Sequence, residues 1–331
     1  MNKQLKKRNR QVTSRGIEWC GTSFRVPHPT LPTFPWQLPD GRTVYLLDNG
    51  RTSNPIAGCH YGCRWLMPDG SETICYAKRV AEGVARAAYP DGFAPMSSSP
   101  SGSIQRKEVY WRLEELGLWE NAPASEIFVG SQADVLGPWV ESERIDELHT
   151  SMRMFIHHRY YLLTKNPARL LDWVWPANAW VGASLPPSKF GKHGLLLGEE
   201  VQRRLLNRTI RALRQVSAGV KWLSLEPLSW DPFDELAAVE DLGSVVNWVV
   251  IGAATNGAKT YQPDWRWVTR LLWLFDWHKI PVFFKGNLEW LPEWGRWRED
   301  KPVDGFMRRM AGPLLPDNLD ELLAMDAAAR P

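Results

Sequence analysis

Three of the four cysteines in this 331-residue chain fall in one short stretch, Cys59-His-Tyr-Gly-Cys63, then eleven residues, then Cys75-Tyr-Ala77. Thiolates are soft ligands that suit iron–sulfur clusters and zinc. Three of them on a loop running into a helix can hold three irons of a four-iron cluster and leave the fourth iron open to an outside ligand. The same sulfurs suit zinc, with His60 available to complete a Cys3His set. His60 is adjacent to Cys59, too close for both to chelate one tetrahedral ion comfortably, and His28 reaches the site only by long-range folding. Unliganded core cysteines are a third reading. Cys20 lies well upstream and reads as a buried small hydrophobe. The spacing predicts a helix directly after Cys75, with Ala77, Val80, Ala81, Val84, Ala85 and Ala88 on one face.

The elements that must position these sulfurs follow from the apolar pattern. From about residue 120, near-continuous apolar runs alternate with helical stripes. The strand candidates are Glu126–Gly130, Arg159–Thr164, Ala179–Ser184, Val220–Leu225, Asn247–Gly252 and Ile280–Phe284. Runs of this kind suit strands covered on both faces, as in parallel sheets. A seventh strand is expected earlier, at Arg42–Leu47 or at Ile17–Trp19. Helices are expected between them. One is capped by Ser142 and buries Ile145, Leu148, Met152 and Phe155. Another starts at Asn166-Pro167. Two more carry Leu206, Ile210 and Leu213, and Trp265, Val268, Leu272 and Phe275. The arginines at 204, 208, 211 and 214 read as a solvated helix face, and Gly92–Gly102 as a loop. Strand–helix alternation predicts an α/β fold whose parallel strands are joined by right-handed crossovers. The fold class is therefore a partial (β/α) barrel of six or seven mostly parallel strands, with a doubly wound sheet as the competing topology.

In such folds ligands bind at the carboxyl ends of the strands. That edge carries Ser131, Gln132 and Asp134 after the first run, then Thr164 and Lys165, Ser184, Glu226, Asn256 and Lys285. Pro227 disfavours helix at Glu226.

Several segments, in order, resemble a phage-associated, radical-SAM-like family, domain of unknown function 5131. They are Gly16-Ile-Glu-Trp19, Asn54-Pro-Ile-Ala-Gly-Cys59, Cys75-Tyr-Ala77, Phe128-Val-Gly-Ser-Gln-Ala-Asp134 and Leu163-Thr-Lys-Asn-Pro167, followed by Leu225-Glu-Pro-Leu228, Trp248-Val-Val-Ile-Gly252 and Pro281-Val-Phe-Phe-Lys285. The resemblance spans about residues 16–287. The chain departs from it in the long gap Arg64–Ile74, in Ile74 before the last cysteine, and in Ala253-Ala-Thr-Asn256 where the family is glycine-rich. The resemblance implies a radical-SAM-like barrel whose 4Fe-4S cluster is held by Cys59, Cys63 and Cys75. S-adenosylmethionine would bind the open iron and yield a 5′-deoxyadenosyl radical that takes hydrogen from a substrate. By the same resemblance Ser131, Gln132 and Asp134 would face the methionine amino group and Ser184 the ribose. Lys165 and Lys285 would meet a carboxylate or an anionic substrate, Glu226 would accept from either ligand, and Thr164 belongs to the same rim. An electron donor of flavodoxin or ferredoxin type is implied as partner.

Composition bounds the rest. At 44% hydrophobic and 23% charged residues the chain can bury a full core. No run approaches the ~20 apolar residues of a membrane span. Neither a secretory leader nor a disulfide framework is legible, so the expected location is cytoplasmic. The net charge of +3 hides an asymmetry: residues 1–17 hold six basic groups and no acid, so the body is slightly acidic. Residues 1–15 read as a basic, disordered arm, residues 16–287 as the barrel with its cluster loop at 54–77, and residues 288–331 as a C-terminal extension packing on it. The arm, with Trp290, Trp294 and Trp297 interleaved by Arg296 and Arg298, makes nucleic acid a candidate substrate. Asp317–Ala329 reads as one more amphipathic helix. The alternative function is a non-catalytic zinc-binding module for nucleic-acid or protein interaction. Most of the 19 tryptophans, among them Trp180, Trp222, Trp248 and Trp273, are expected in the core.

Overall fold

In the computed structural model, strand β1 (Gly50–Ser53) begins a seven-stranded sheet. It continues through β2 (Glu126–Val129), β3 (Arg159–Thr164), β4 (Ala179–Ser184), β5 (Val220–Leu225), β6 (Trp248–Ile251) and β7 (Val282–Phe284). The structure describes residues 33–37, 43–47, 50–66, 69–98, 104–122, 125–185, 198–256, 259–289, 301–303 and 306–308. Every neighbouring pair in the sheet is parallel, and the strands lie side by side in chain order. A doubly wound sheet must reverse its strand order once. This one never does, so each crossover advances the same way and the sheet curls into a partial (β/α) barrel.

The six apolar runs form strands because each is buried on both faces. Residues of one parity (Ile127, Val129, Leu162, Val181, Leu223, Val249, Val282) pack under the helices. These helices include α1 (Ser142–Met154), α2 (Glu199–Gln215) and α3 (Trp265–Trp277). Their stripes Ile145/Leu148/Met152, Leu206/Ile210/Leu213 and Val268/Leu272/Phe275 are buried as the spacing predicts, and Arg204, Arg208, Arg211 and Arg214 are exposed. Residues of the other parity form a separate aromatic cluster on the concave face: Tyr161, Trp180, Trp222, Trp248 and Phe283. The register sets Gly182 opposite Trp222. A Cβ on Gly182 would stand 2.5 Å from the indole ring, so only glycine leaves room for this floor. Below it the fully buried Glu126 pairs with Arg159 at 3.2 Å, and the Arg159 guanidinium lies 4.5 Å from the Trp180 ring centroid. The amino ends of the strands are thus plugged, and the carboxyl ends form the mouth.

Several local expectations are corrected. Thr43–Leu47 is not a barrel strand; it pairs antiparallel with Thr33–Gln37, while the polar Gly50–Ser53 takes the sheet's edge. An edge strand needs only one partner, which is why a Gly-Arg-Thr-Ser run suffices. The helix after Cys75 is Tyr76–Glu82 and stops at Gly83, which leaves Val84 exposed and buries only Ala77 and Ala81. Within Gly92–Gly102, Met96–Ser98 pairs with Ile104–Arg106 as a hairpin. Ser142 does not cap its helix: its Oγ accepts from Arg169. Asn166 precedes a 3-10 turn, Pro167–Asp172, and its Nδ2 donates to the Leu136 carbonyl. Residues 1–15, Ile17–Trp19, Cys20, His28, Trp290, Trp294, Arg296, Trp297, Arg298 and Asp317–Ala329 lie outside the described residues. Among those described, no helix is long and apolar enough to cross a membrane.

Candidate functional site

The cysteine segment is fastened to the carboxyl ends of β1 and β2. Asn54, fully buried just after β1, accepts from the Gln132 backbone N–H (2.9 Å) and from Ser131 Oγ (3.2 Å). The Gln132 side-chain oxygen accepts from Tyr89 OH at 2.6 Å, and its carbonyl accepts from the Gly58 N–H at 3.3 Å. Gly58 has φ +99°, and a Cβ there would stand 2.9 Å from the Phe93 carbonyl oxygen. That same carbonyl accepts from the Cys59 N–H at 3.0 Å. The glycine is what lets Cys59 approach so closely.

The eleven residues between Cys63 and Cys75 fold back on themselves. Arg64–Leu66 pairs antiparallel with Glu72–Ile74, Arg64 opposite Ile74. Cys63 and Cys75 are therefore the next rung, and the Cys75 N–H donates to the Cys63 carbonyl at 3.1 Å. A gap that looks like a disruption in sequence brings its two ends together in space.

Asp134 joins the loop after β2 to the end of β3. One carboxylate oxygen accepts from the Leu136 N–H (3.1 Å) and the other from the Lys165 N–H (2.7 Å). Burial raises its pKa, opposed by the backbone N–H and charge of Lys165 and by the Thr164 hydroxyl. Lys165 follows β3. Burial alone would lower its pKa, but Cys63, Asp134, Cys75 and Cys59 together raise it, so the ammonium stays charged. Cys59 is pushed up to about 12 by burial, with Asp134 and Cys63 adding to the rise.

Across the mouth, Ser184 and Ser224 are buried opposite each other at the ends of β4 and β5. Lys285 Nζ lies 3.4 Å from Glu226 Oε2, and the Glu226–Pro227 peptide is cis. The structure therefore brings all the rim residues expected from the sequence, Ser131, Gln132, Asp134, Thr164, Lys165, Ser184, Glu226 and Lys285, to the carboxyl edge of one sheet. Asn256 stands farther out, in a hairpin after β6. Asn54 and Tyr89 carry no role in the sequence reading, although a buried Asn before proline at a strand end is a signal that could have marked the first.

The donor set fits a sulfur-bound metal group in kind: three thiols on one segment, two of them on a single hairpin rung. As the side chains stand, no three His, Cys, Asp or Glu groups among the described residues are gathered to hold a metal ion. His60 turns away: its Nε2 donates to the Lys107 carbonyl at 3.0 Å, and its ring packs edge-on to Trp139.

The chain belongs to the family described as "Protein of unknown function (DUF5131)", whose model matches residues 49–315. No curated protein matches it. Two solved structures resemble it. One is a spore photoproduct lyase mutant with bound AdoMet and dinucleoside spore photoproduct, at TM-score 0.35 and 13% identity over 62% of this chain and 56% of that one. The other is spore photoproduct lyase complexed with dinucleoside spore photoproduct, at TM-score 0.34 and 12% identity over the same shares. This chain thus spans just over half the length of either, and likeness at this level does not bear on its chemistry.

Proposed function

We propose that the chain is a radical SAM-type enzyme, with Cys59, Cys63 and Cys75 holding a 4Fe-4S cluster at the barrel mouth. The observation that carries the reading is the hairpin rung, which sets Cys63, four residues along the same loop from Cys59, against Cys75; the Cys59 N–H is held on the Phe93 carbonyl. Rotation about a single side-chain torsion in each cysteine redirects its sulfur without moving the backbone. With a cluster held by Cys59, Cys63 and Cys75 and S-adenosylmethionine bound to it, the bound groups would supply one-electron reductive chemistry for hydrogen abstraction. The chain's own residues bind and orient. Lys165 and Lys285 offer cations to carboxylates or anionic substrates. Ser184 and Glu226 offer acceptors to sugar hydroxyls. Asp134, which already accepts from the Leu136 and Lys165 N–H groups and the Thr164 hydroxyl, keeps a lone pair that can accept from the methionine ammonium. The plugged amino end keeps water out from below. An acidic one-electron donor of flavodoxin or ferredoxin type would supply the electron, and the substrate class is a nucleic acid or nucleotide.

Anaerobic reconstitution with iron and sulfide tests this. The expected result is brown protein that releases 5′-deoxyadenosine from S-adenosylmethionine under reduction, with both properties lost on replacing Cys59, Cys63 and Cys75 by Ala. Colourless protein that holds zinc and ignores S-adenosylmethionine would overturn it in favour of a structural zinc module.

A further inference from the structure

Two of the three cysteines stand in a relation that a metal site does not require. Arg64–Leu66 pairs antiparallel with Glu72–Ile74, and with Arg64 opposite Ile74 the following rung sets Cys63 opposite Cys75. The Cys75 N–H donates to the Cys63 carbonyl at 3.1 Å, which marks this as a hydrogen-bonded rung. Opposed residues in such a rung have Cα atoms about 5.5 Å apart and side chains on one face of the ladder. That separation falls inside the roughly 4.4–6.8 Å that a disulfide spans. Both cysteines are free thiols, so the pair stands reduced and opposed. Cys59 is fixed elsewhere, its N–H on the Phe93 carbonyl at 3.0 Å.

The rung is held from both directions. On one side Cys75 leads straight into the helix Tyr76–Glu82, and its carbonyl accepts from the Arg79 N–H at 3.1 Å. On the other, Arg64 pairs with Glu72 at 3.1 Å. The hairpin tip reaches the hairpin that follows β6 (Ala254–Asn256 with Lys259–Tyr261). There Asp69 accepts from Lys259 Nζ at 3.2 Å and from Tyr261 OH, and Asn256 Nδ2 donates to Ser71 Oγ at 3.3 Å. The backbone has therefore already closed the loop from 63 to 75, and joining the sulfurs adds little further loss of chain entropy. The two thiols differ in access: Cys63 is 8% exposed, whereas Cys75 is half-buried. An oxidant meets Cys75 first, and Cys63 stands opposite to resolve it.

We infer that Cys63 and Cys75 form a reversible disulfide that withdraws two of the three sulfurs from metal binding, so that the loop accepts metal only when reduced. A peroxide serves as oxidant. The Cys75 sulfur attacks one peroxide oxygen, the O–O bond breaks, and a sulfenic acid and one water result. Cys63 then attacks that sulfur, the S–S bond forms, and the hydroxyl leaves with the Cys63 proton as a second water. Two thiols lose two electrons and two protons, and one hydrogen peroxide becomes two waters. A dithiol reverses the step by exchange. Side chains stand wider apart across a hydrogen-bonded rung than across an unbonded one, so this bridge is strained, and strained disulfides are the readily reduced ones. The effect on metal loading rests on the cluster reading above; the bridge itself does not.

Peptide mapping of the full chain tests this, metal-free, before and after stoichiometric hydrogen peroxide, with remaining thiols blocked in denaturant. Trypsin cuts after Arg51, Arg64 and Lys78, so the bridge appears as residues 52–64 joined to residues 65–78 and disappears with dithiothreitol. Because the first peptide also carries Cys59, variants identify the partner. Cys59→Ala should keep the cross-link, and Cys63→Ala and Cys75→Ala should each abolish it, with far-UV spectra matching wild type. Oxidised wild-type protein should lose most of its uptake of iron and sulfide and regain it with dithiothreitol. A cross-link through any other pair, four intact thiols after peroxide, or oxidised protein that loads iron as reduced protein does would overturn the switch and leave the cluster reading standing. The expected cross-link in a chain whose reduced form takes up no iron would uphold the bridge and remove the cluster.

Discussion

His158 shows how much one buried side chain can set. Its Nε2 donates to the Trp119 carbonyl at 2.8 Å, and its Nδ1 accepts from the Ser125 N–H at 3.2 Å, so both nitrogens are spoken for in the neutral ring. Burial lowers its pKa from 6.5 to about 4, and the neighbouring His157 and Arg51 also disfavour a charge. Between those values the unfolded chain binds the extra proton, so stability falls as pH falls through that window. The loss should reach about 3 kcal/mol. Urea midpoints at pH 7 and pH 4.5 measure it, and His158→Gln should flatten the slope; an unchanged slope would locate the acid sensitivity elsewhere. Gly58 makes a second case. Gly58→Ala forces a positive φ on a residue with a Cβ and crowds the Phe93 carbonyl, at a cost of about 1–3 kcal/mol by chemical denaturation. The alanine should also loosen Cys59, read as faster alkylation of that thiol than in wild type.

Among the elements, the strands with most to bury are those most legible in the chain. Arg159–Thr164, Ala179–Ser184 and Val220–Leu225 have the ends their apolar runs predict, because both faces are covered and the pattern stops where burial stops. Gly50–Ser53 carries no such run, since an edge strand in contact with one neighbour needs none. The cysteine hairpin was equally hidden. Each of its strands is three residues long, too short for any period to register, and its meaning lies in a rung visible only after pairing. For the same reason the rim lysines and Glu226 could be picked out at strand ends, whereas the pairing of Cys63 with Cys75 could not. Packing between β4 and β5 offers a direct test. Gly182→Ala would drive a methyl into the Trp222 ring and should cost about 1–3 kcal/mol, seen as a lowered Tm, because the ring is walled in by Trp180 and Trp248. Equal stability of this variant would mean the aromatic floor is loosely packed.

For the whole molecule, stability and site chemistry occupy different parts. The main core lies between the sheet and its helices, while Ala57, Ala77, Ala81, Tyr89 and Phe93 form a small cluster of their own under the cysteine segment. Replacing all three cysteines by Ala should therefore leave Tm within a few degrees of wild type and the far-UV spectrum unchanged, even as metal uptake is lost. A collapse of the fold would show instead that the sulfurs are structural.

A wall that winds one way without closing leaves raw borders, and the border at β1 is the most polar strand of the seven. Four residues of Gly-Arg-Thr-Ser make a poor template for a foreign chain seeking backbone hydrogen bonds. The protein can thus keep its barrel unfinished, with space for bulky cargo, and still resist stacking rim to rim with its own copies.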